Sequence, residues 1–137
     1  MKKFKVVALM LVFVLSLQCM TFATETAVQP RGRYLLGGGC SITPYSGYVI
    51  VTGHTDAYED VDELIVEVSV LKEVSPGYWV EVWSDSLSAY DDSYACMTNT
   101  RVNVDRYYRY MVEATHTVKH GNVTETNYSE TEYVFVQ

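Results

Sequence analysis

The chain has 137 residues, 48% of them hydrophobic, and sets seventeen acidic side chains against ten basic ones for a formal net charge of −7. That balance argues against nucleic acid or an anionic membrane as partner, because both are bound through lysine and arginine. The length suits one compact domain rather than two.

The first 23 residues read as an export signal. Lys2, Lys3 and Lys5 precede an apolar run, Val6 to Leu17, broken only by Ser16, and Thr21-Phe22-Ala23 places small residues where a signal peptidase cuts. Cleavage after Ala23 is therefore expected, and with it a secreted or cell-envelope location. Cys19 raises lipidation as the alternative, against which Gln18 stands where a small residue is normally cut. The apolar run is shorter than the roughly 20 residues that span a bilayer, and no later segment approaches that length, so no transmembrane span is expected. Without the leader, seven basic residues face seventeen acidic ones, a charge of −10.

Export leaves Cys40 and Cys96 as the only cysteines, in a compartment where thiols oxidise. A disulfide between them is expected and would stabilise the fold by about 4 kcal/mol. Two separately buried thiols are the alternative.

Residues 24–39 read as a flexible N-terminal arm ending in Gly37-Gly38-Gly39, with a short strand at 33–36. Residues 40–137 read as the folded domain. Runs of Val, Ile, Tyr and Thr separated by Gly, Asp, Asn and Pro predict strands over 40–43, 48–55, 64–72, 78–84, 96–104, 107–119 and 124–136, and no helix. The 64–72 run is the strongest, with Leu64, Val66, Val68 and Val70 on one face, and is expected to be central. Pro76-Gly77 and His120-Gly121-Asn122 predict hairpin turns. About seven strands at this spacing predict an all-β fold, a single antiparallel β-sandwich.

The run Tyr107-Tyr108-Arg109-Tyr110-Met111-Val112-Glu113-Ala114 resembles the sixth strand of fibronectin type III-like and immunoglobulin-like domains. Tyr94-Ala95-Cys96 is similar to the Tyr-x-Cys of antibody domains, but no tryptophan follows Cys40 at the matching distance. Almost the whole mature region also resembles an uncharacterised family of small secreted proteins from Gram-positive bacteria. That likeness rests on Pro30-Arg31-Gly32, the stretch from Gly38 to Thr43, the run from Val51 to Tyr58, Val61-Asp62-Glu63-Leu64 and the late Tyr-Tyr-Arg. It implies a secreted β-sandwich and no particular activity.

Three constellations bear on function. Asp56, Glu59, Asp60, Asp62 and Glu63 crowd five carboxylates between two predicted strands, which suits calcium or, without the spacing of a calcium loop, a solvated acidic segment. Trp79 and Trp83 share strand parity opposite Val80 and Val82, so valines in the core would leave both tryptophans outside as a platform for a sugar ring or a protein. Reversed parity would make them core. The histidines, His54, His116 and His120, show no paired ligand spacing, and no nucleophile elbow or phosphate loop appears. Asn122-Val123-Thr124 and Asn127-Tyr128-Ser129 fit the glycosylation pattern and, if the source is bacterial as the resemblance implies, are read as coincidental.

The expectation is a non-catalytic secreted binding module without cofactor, recognising a cell-surface glycan or protein through Trp79 and Trp83. The alternatives are a small secreted hydrolase and a self-assembling surface protein.

Overall fold

The computed structural model describes residues 32–137; the expected signal peptide, and the arm as far as Arg31, lie outside the described residues. The elements are β1 (Leu35–Tyr45), β2 (Tyr48–Ser75), β3 (Tyr78–Asn103), β4 (Tyr108–His120), β5 (Val123–Glu130) and β6 (Val134–Val136). All pairings are antiparallel and belong to one six-stranded sheet.

The sheet is curled into a half-barrel because β2 and β3 are long enough to serve both ends of it. Residues 48–57 of β2 pair with β1 on one side and with the end of β3 on the other. Residues 63–72 pair with the start of β3 and with β4, which in turn carries β5 and β6. Between them the register slips from Asp56 opposite Tyr94 to Val61 opposite Asp92, which gives β2 extra residues at the corner. Such an excess on one strand raises local twist and bends the sheet.

This corrects the sequence reading in three places. Six strands of a single sheet replace about seven in two sheets, since the acidic segment lies inside β2 and the connection 85–93 lies inside β3. β1 begins at Leu35 rather than Cys40, and Leu35 is buried. The last predicted strand is divided into β5 and β6.

The core lies in the concavity. Val49, Val51, Leu64, Val66, Val68 and Val70 supply the even or odd inward face of β2, and Tyr110, Val112, Ala114 and Val118 that of β4, with Val136 from β6. Each valine or leucine so buried contributes about 1.5–3 kcal/mol relative to exposure. The hairpin turns expected at Gly77 and Gly121 are found, and these glycines and Gly47, in the turn between β1 and β2, take positive φ, at 76°, 57° and 80° respectively.

The expected disulfide is absent. Cys40 pairs in register with Gly53 on one side of β2, and Cys96 with His54 on the other. Two strand spacings, about 9.6 Å, separate them, and adjacent register positions point them to opposite faces, beyond what a disulfide can bridge. Cys40 Sγ lies 3.3 Å from Ser129 Oγ and 3.8 Å from the Val112 carbonyl instead.

Candidate binding face

The two tryptophans part company at a β-bulge. Val70 stands opposite Trp83, but Leu71 stands opposite Glu81, so Val82 is an extra residue on β3. Residues opposite one another share a face. Trp83 therefore points inward with the buried Val70 and packs against the core, while Trp79, opposite Glu73, points outward. Val82 is 45% exposed rather than buried. The shared platform of Trp79 and Trp83 is thus corrected: only Trp79 remains on the outer face.

Other side chains join Trp79 there. Glu73 lies next to it on β2, and Arg109 on β4 reaches Glu73 with Nη1 3.4 Å from Oε2. Arg109 pairs in register with Phe135 on β6, which is 49% exposed, and its guanidinium lies 4.7 Å from the centroid of Tyr133. Trp79, Glu73, Arg109 and Phe135 thus form one row across four strands, about 14 Å from end to end by strand spacing. Aromatic rings close both ends and a charge pair occupies the middle.

Inside the same strands runs a groove of about 290 Å³ lined by Lys72, Val82, Asn103, Val104, Asp105 and Tyr110. Lys72 Nζ bonds Asp105 Oδ2 at 2.7 Å and sits 3.6 Å from the centroid of Tyr108. The hydrogen bond that Lys72 donates to Asp105 holds its ammonium above the usual lysine range, against the opposing effect of burial. Burial raises the Tyr110 phenol, whose hydroxyl donates to the Asp105 carbonyl at 2.9 Å.

The acidic segment does not converge on a point. Asp56 Oδ2 lies 3.5 Å from His54 Nε2, and Asp62 accepts the Gly121 N–H at 2.6 Å. Glu63 pairs with Lys119 at 2.8 Å, and that hydrogen bond holds its carboxyl below the usual range. Glu59 and Asp60 are exposed. Among the described residues no group of three His, Cys, Asp or Glu side chains could hold a metal ion.

A second polar cluster, not anticipated from the sequence, lies inside. His116 is fully buried, with Nδ1 3.1 Å from Thr55 Oγ1 and Nε2 2.7 Å from Ser129 Oγ. The Thr55 hydroxyl donates to the Ile65 carbonyl at 3.0 Å, which leaves its oxygen to accept from Nδ1–H. Nε2 of the neutral ring then accepts from Ser129. Burial, assisted by the charge of His54 and opposed by a hydrogen bond with the His54 backbone, lowers the His116 pKa to about 4. Ser129 and His116 stand at nucleophile-to-base distance, but the third member is a neutral hydroxyl and the imidazole has no access to solvent. The available clue was parity, since His116 falls in phase between Ala114 and Val118.

No protein-family model matches the chain, and no curated protein does, so the likeness to a Gram-positive family gains no support beyond its motifs. Among solved structures, a Parabacteroides merdae β-glucuronidase is similar at 18% identity and a TM-score of 0.43, over 82% of this chain and 14% of that one. R. palustris CsgH is similar at 18% identity and 0.36, over 68% and 91%, and the Bacillus subtilis sporulation control protein Spo0M at 10% and 0.38, over 73% and 49%. This chain therefore spans about a seventh of the glucuronidase's length.

Proposed function

We propose that the protein is a non-catalytic, secreted or envelope-associated module that binds a glycan on the outer row Trp79, Glu73, Arg109, Phe135 and Tyr133. The observation that carries this reading is the alternation along that row: aromatic planes at both ends, with a carboxylate and a guanidinium between them. Sugar rings offer an apolar face for stacking and a rim of hydroxyls that can both donate and accept hydrogen bonds. Indole and phenyl rings serve the first need, and the Glu73–Arg109 pair serves the second. A protein partner would use the same residue types, but the groups are spread in a line rather than gathered around a central pocket as an interface hot spot would be.

The solvent-inaccessible His116 supports the non-catalytic part of the reading. A hydrolytic Ser–His pair must meet its substrate and pass through an imidazolium, and burial opposes that charge here. The test is retention on insoluble polysaccharide and cell-wall preparations, with Trp79→Ala and Arg109→Ala beside the parent protein. Retention lost in both variants supports the reading. Retention unchanged in both places the site elsewhere, and no retention of the parent protein on any preparation rejects a glycan ligand.

A further inference from the structure

The free edge of β3 has features that no part of the aromatic row uses. β3 pairs only with β2, so among the described residues its other edge carries no strand. From Trp83 to Tyr90 the pairing with β2 is regular, without a bulge; the Val82 bulge precedes this stretch and Asp91, with φ 51°, follows it. An eight-residue, regularly paired segment with one set of backbone N–H and C=O groups turned away from its neighbour is a template for an added strand.

The chemistry of that edge specifies what would be added. Residues 78–100 contain Glu81, Asp85, Asp91 and Asp92 but not one lysine, arginine or histidine. A second copy of the chain would set these carboxylates against themselves. On the concave side, Leu87 is 37% exposed and Val82 45% exposed, so apolar surface on this side of β3 is only partly covered. On the convex side Ser84, Ser86 and Ser88 are exposed.

One contact shows where the edge is guarded. The Ser86 N–H donates to Asp85 Oδ1 of its own strand at 2.8 Å rather than to β2. This outward donor is satisfied by a neighbouring carboxylate, which a basic side chain on an incoming strand could draw away while a carbonyl takes its place.

We propose that the edge of β3 from Trp83 to Tyr90 binds an extended, positively charged polypeptide segment by strand addition, its concave face carrying both an apolar residue turned to Leu87 and a basic residue held near Asp85, which, opposite Val68, shares that face. This surface is separate from the glycan row, whose β3 residue is Trp79.

The probe is a synthetic octapeptide with valine and lysine at successive positions of one face and serine at the positions between, titrated into the isotopically labelled protein, beside a counterpart with glutamate in place of lysine and a copy of the lysine peptide N-methylated on one edge. The expected result is perturbation of the amides of residues 83–90 by the lysine peptide alone, weakening as salt is raised. Ser86→Pro removes the outward donor without touching a bond to β2, as edge strands tolerate, and should weaken binding by about tenfold or more. Trp79→Ala should leave it unchanged, which separates failure here from failure of the glycan reading. No binding of the lysine peptide, equal binding of the glutamate peptide, perturbation centred outside 83–90, or full affinity in a folded Ser86→Pro variant would each overturn the proposal.

Discussion

The imidazole of His116 lies against the bare α-carbon of Gly38: a methyl group there would run into Nδ1 and Cγ of the ring and into the carbonyl of His54. The middle glycine of Gly37-Gly38-Gly39 therefore answers a packing demand from β4, and loop freedom is not its purpose. Gly38→Ala should destabilise the protein by about 1–3 kcal/mol, the usual range for overpacking. A methyl on Gly39 would meet only the tip of the half-exposed His54 ring, 2.9 Å away, which can swing aside. Urea unfolding of the two variants should show a clear loss for Gly38→Ala and a small one for Gly39→Ala; equal losses would contradict this packing.

The same histidine gives stability a pH dependence. Its folded pKa, about 4, lies below its ordinary value of 6.5, so the unfolded chain takes up the proton first as pH falls. Stability should therefore be flat above about pH 6.5 and decline toward pH 4, by about 3 kcal/mol from this residue. His116→Leu should flatten that slope. Denaturant titrations at several pH values would check it, and identical slopes in both proteins would refute the assignment.

Glu125 acts in the next window down. Burial pushes its carboxyl up, but the backbone N–H groups of Leu35, Tyr34 and Arg33, bonded at 2.7, 2.9 and 2.7 Å, outweigh that and hold it below the usual range. A depressed carboxylate contributes stability that is lost as pH falls through its folded pKa. Glu125→Gln should loosen the start of β1 first, so amide exchange at Arg33, Tyr34 and Leu35 should accelerate ahead of the rest of the sheet. Uniform acceleration would mean that the clasp is not local.

Trp79 and Trp83 should separate in a stability assay. Trp83 packs on the core, and its truncation to alanine should cost about 2–4 kcal/mol. Trp79 stands on the outer face, so its truncation should cost much less. The reverse order would mean that the bulge at Val82 is misplaced.

Cys96→Ser tests the cysteine geometry. A bridge to Cys40 would be lost with about 4 kcal/mol. With the two residues on opposite faces across β2, the substitution should shift stability by less than about 1 kcal/mol, within the range of surface changes.

Alternation made the centre of the fold legible: Leu64, Val66, Val68 and Val70 are all buried as their parity requires, and the glycine turns close the hairpins as read. Trp79-Val80-Glu81-Val82-Trp83 misled for a physical reason. It alternates without a break, and a bulge is a property of the pairing with β2, invisible in one strand alone. Likewise Asp56, Glu59, Asp60 and Asp62 look like a loop by composition, yet the curl of the sheet needs extra residues at that corner and keeps them in β2. Arg109 and Phe135 could not be assigned to Trp79's row without knowing which strands are neighbours.

The most direct test of the glycan row uses the fact that the chain has two tryptophans. Trp83→Phe leaves Trp79 as the only indole, and Trp79→Phe leaves Trp83. Titration with soluble oligosaccharides from a polysaccharide that retains the protein should shift Trp79 emission in the first variant and leave Trp83 emission unmoved in the second. A response from Trp83 alone, or from neither while binding persists, would contradict recognition by the outer row.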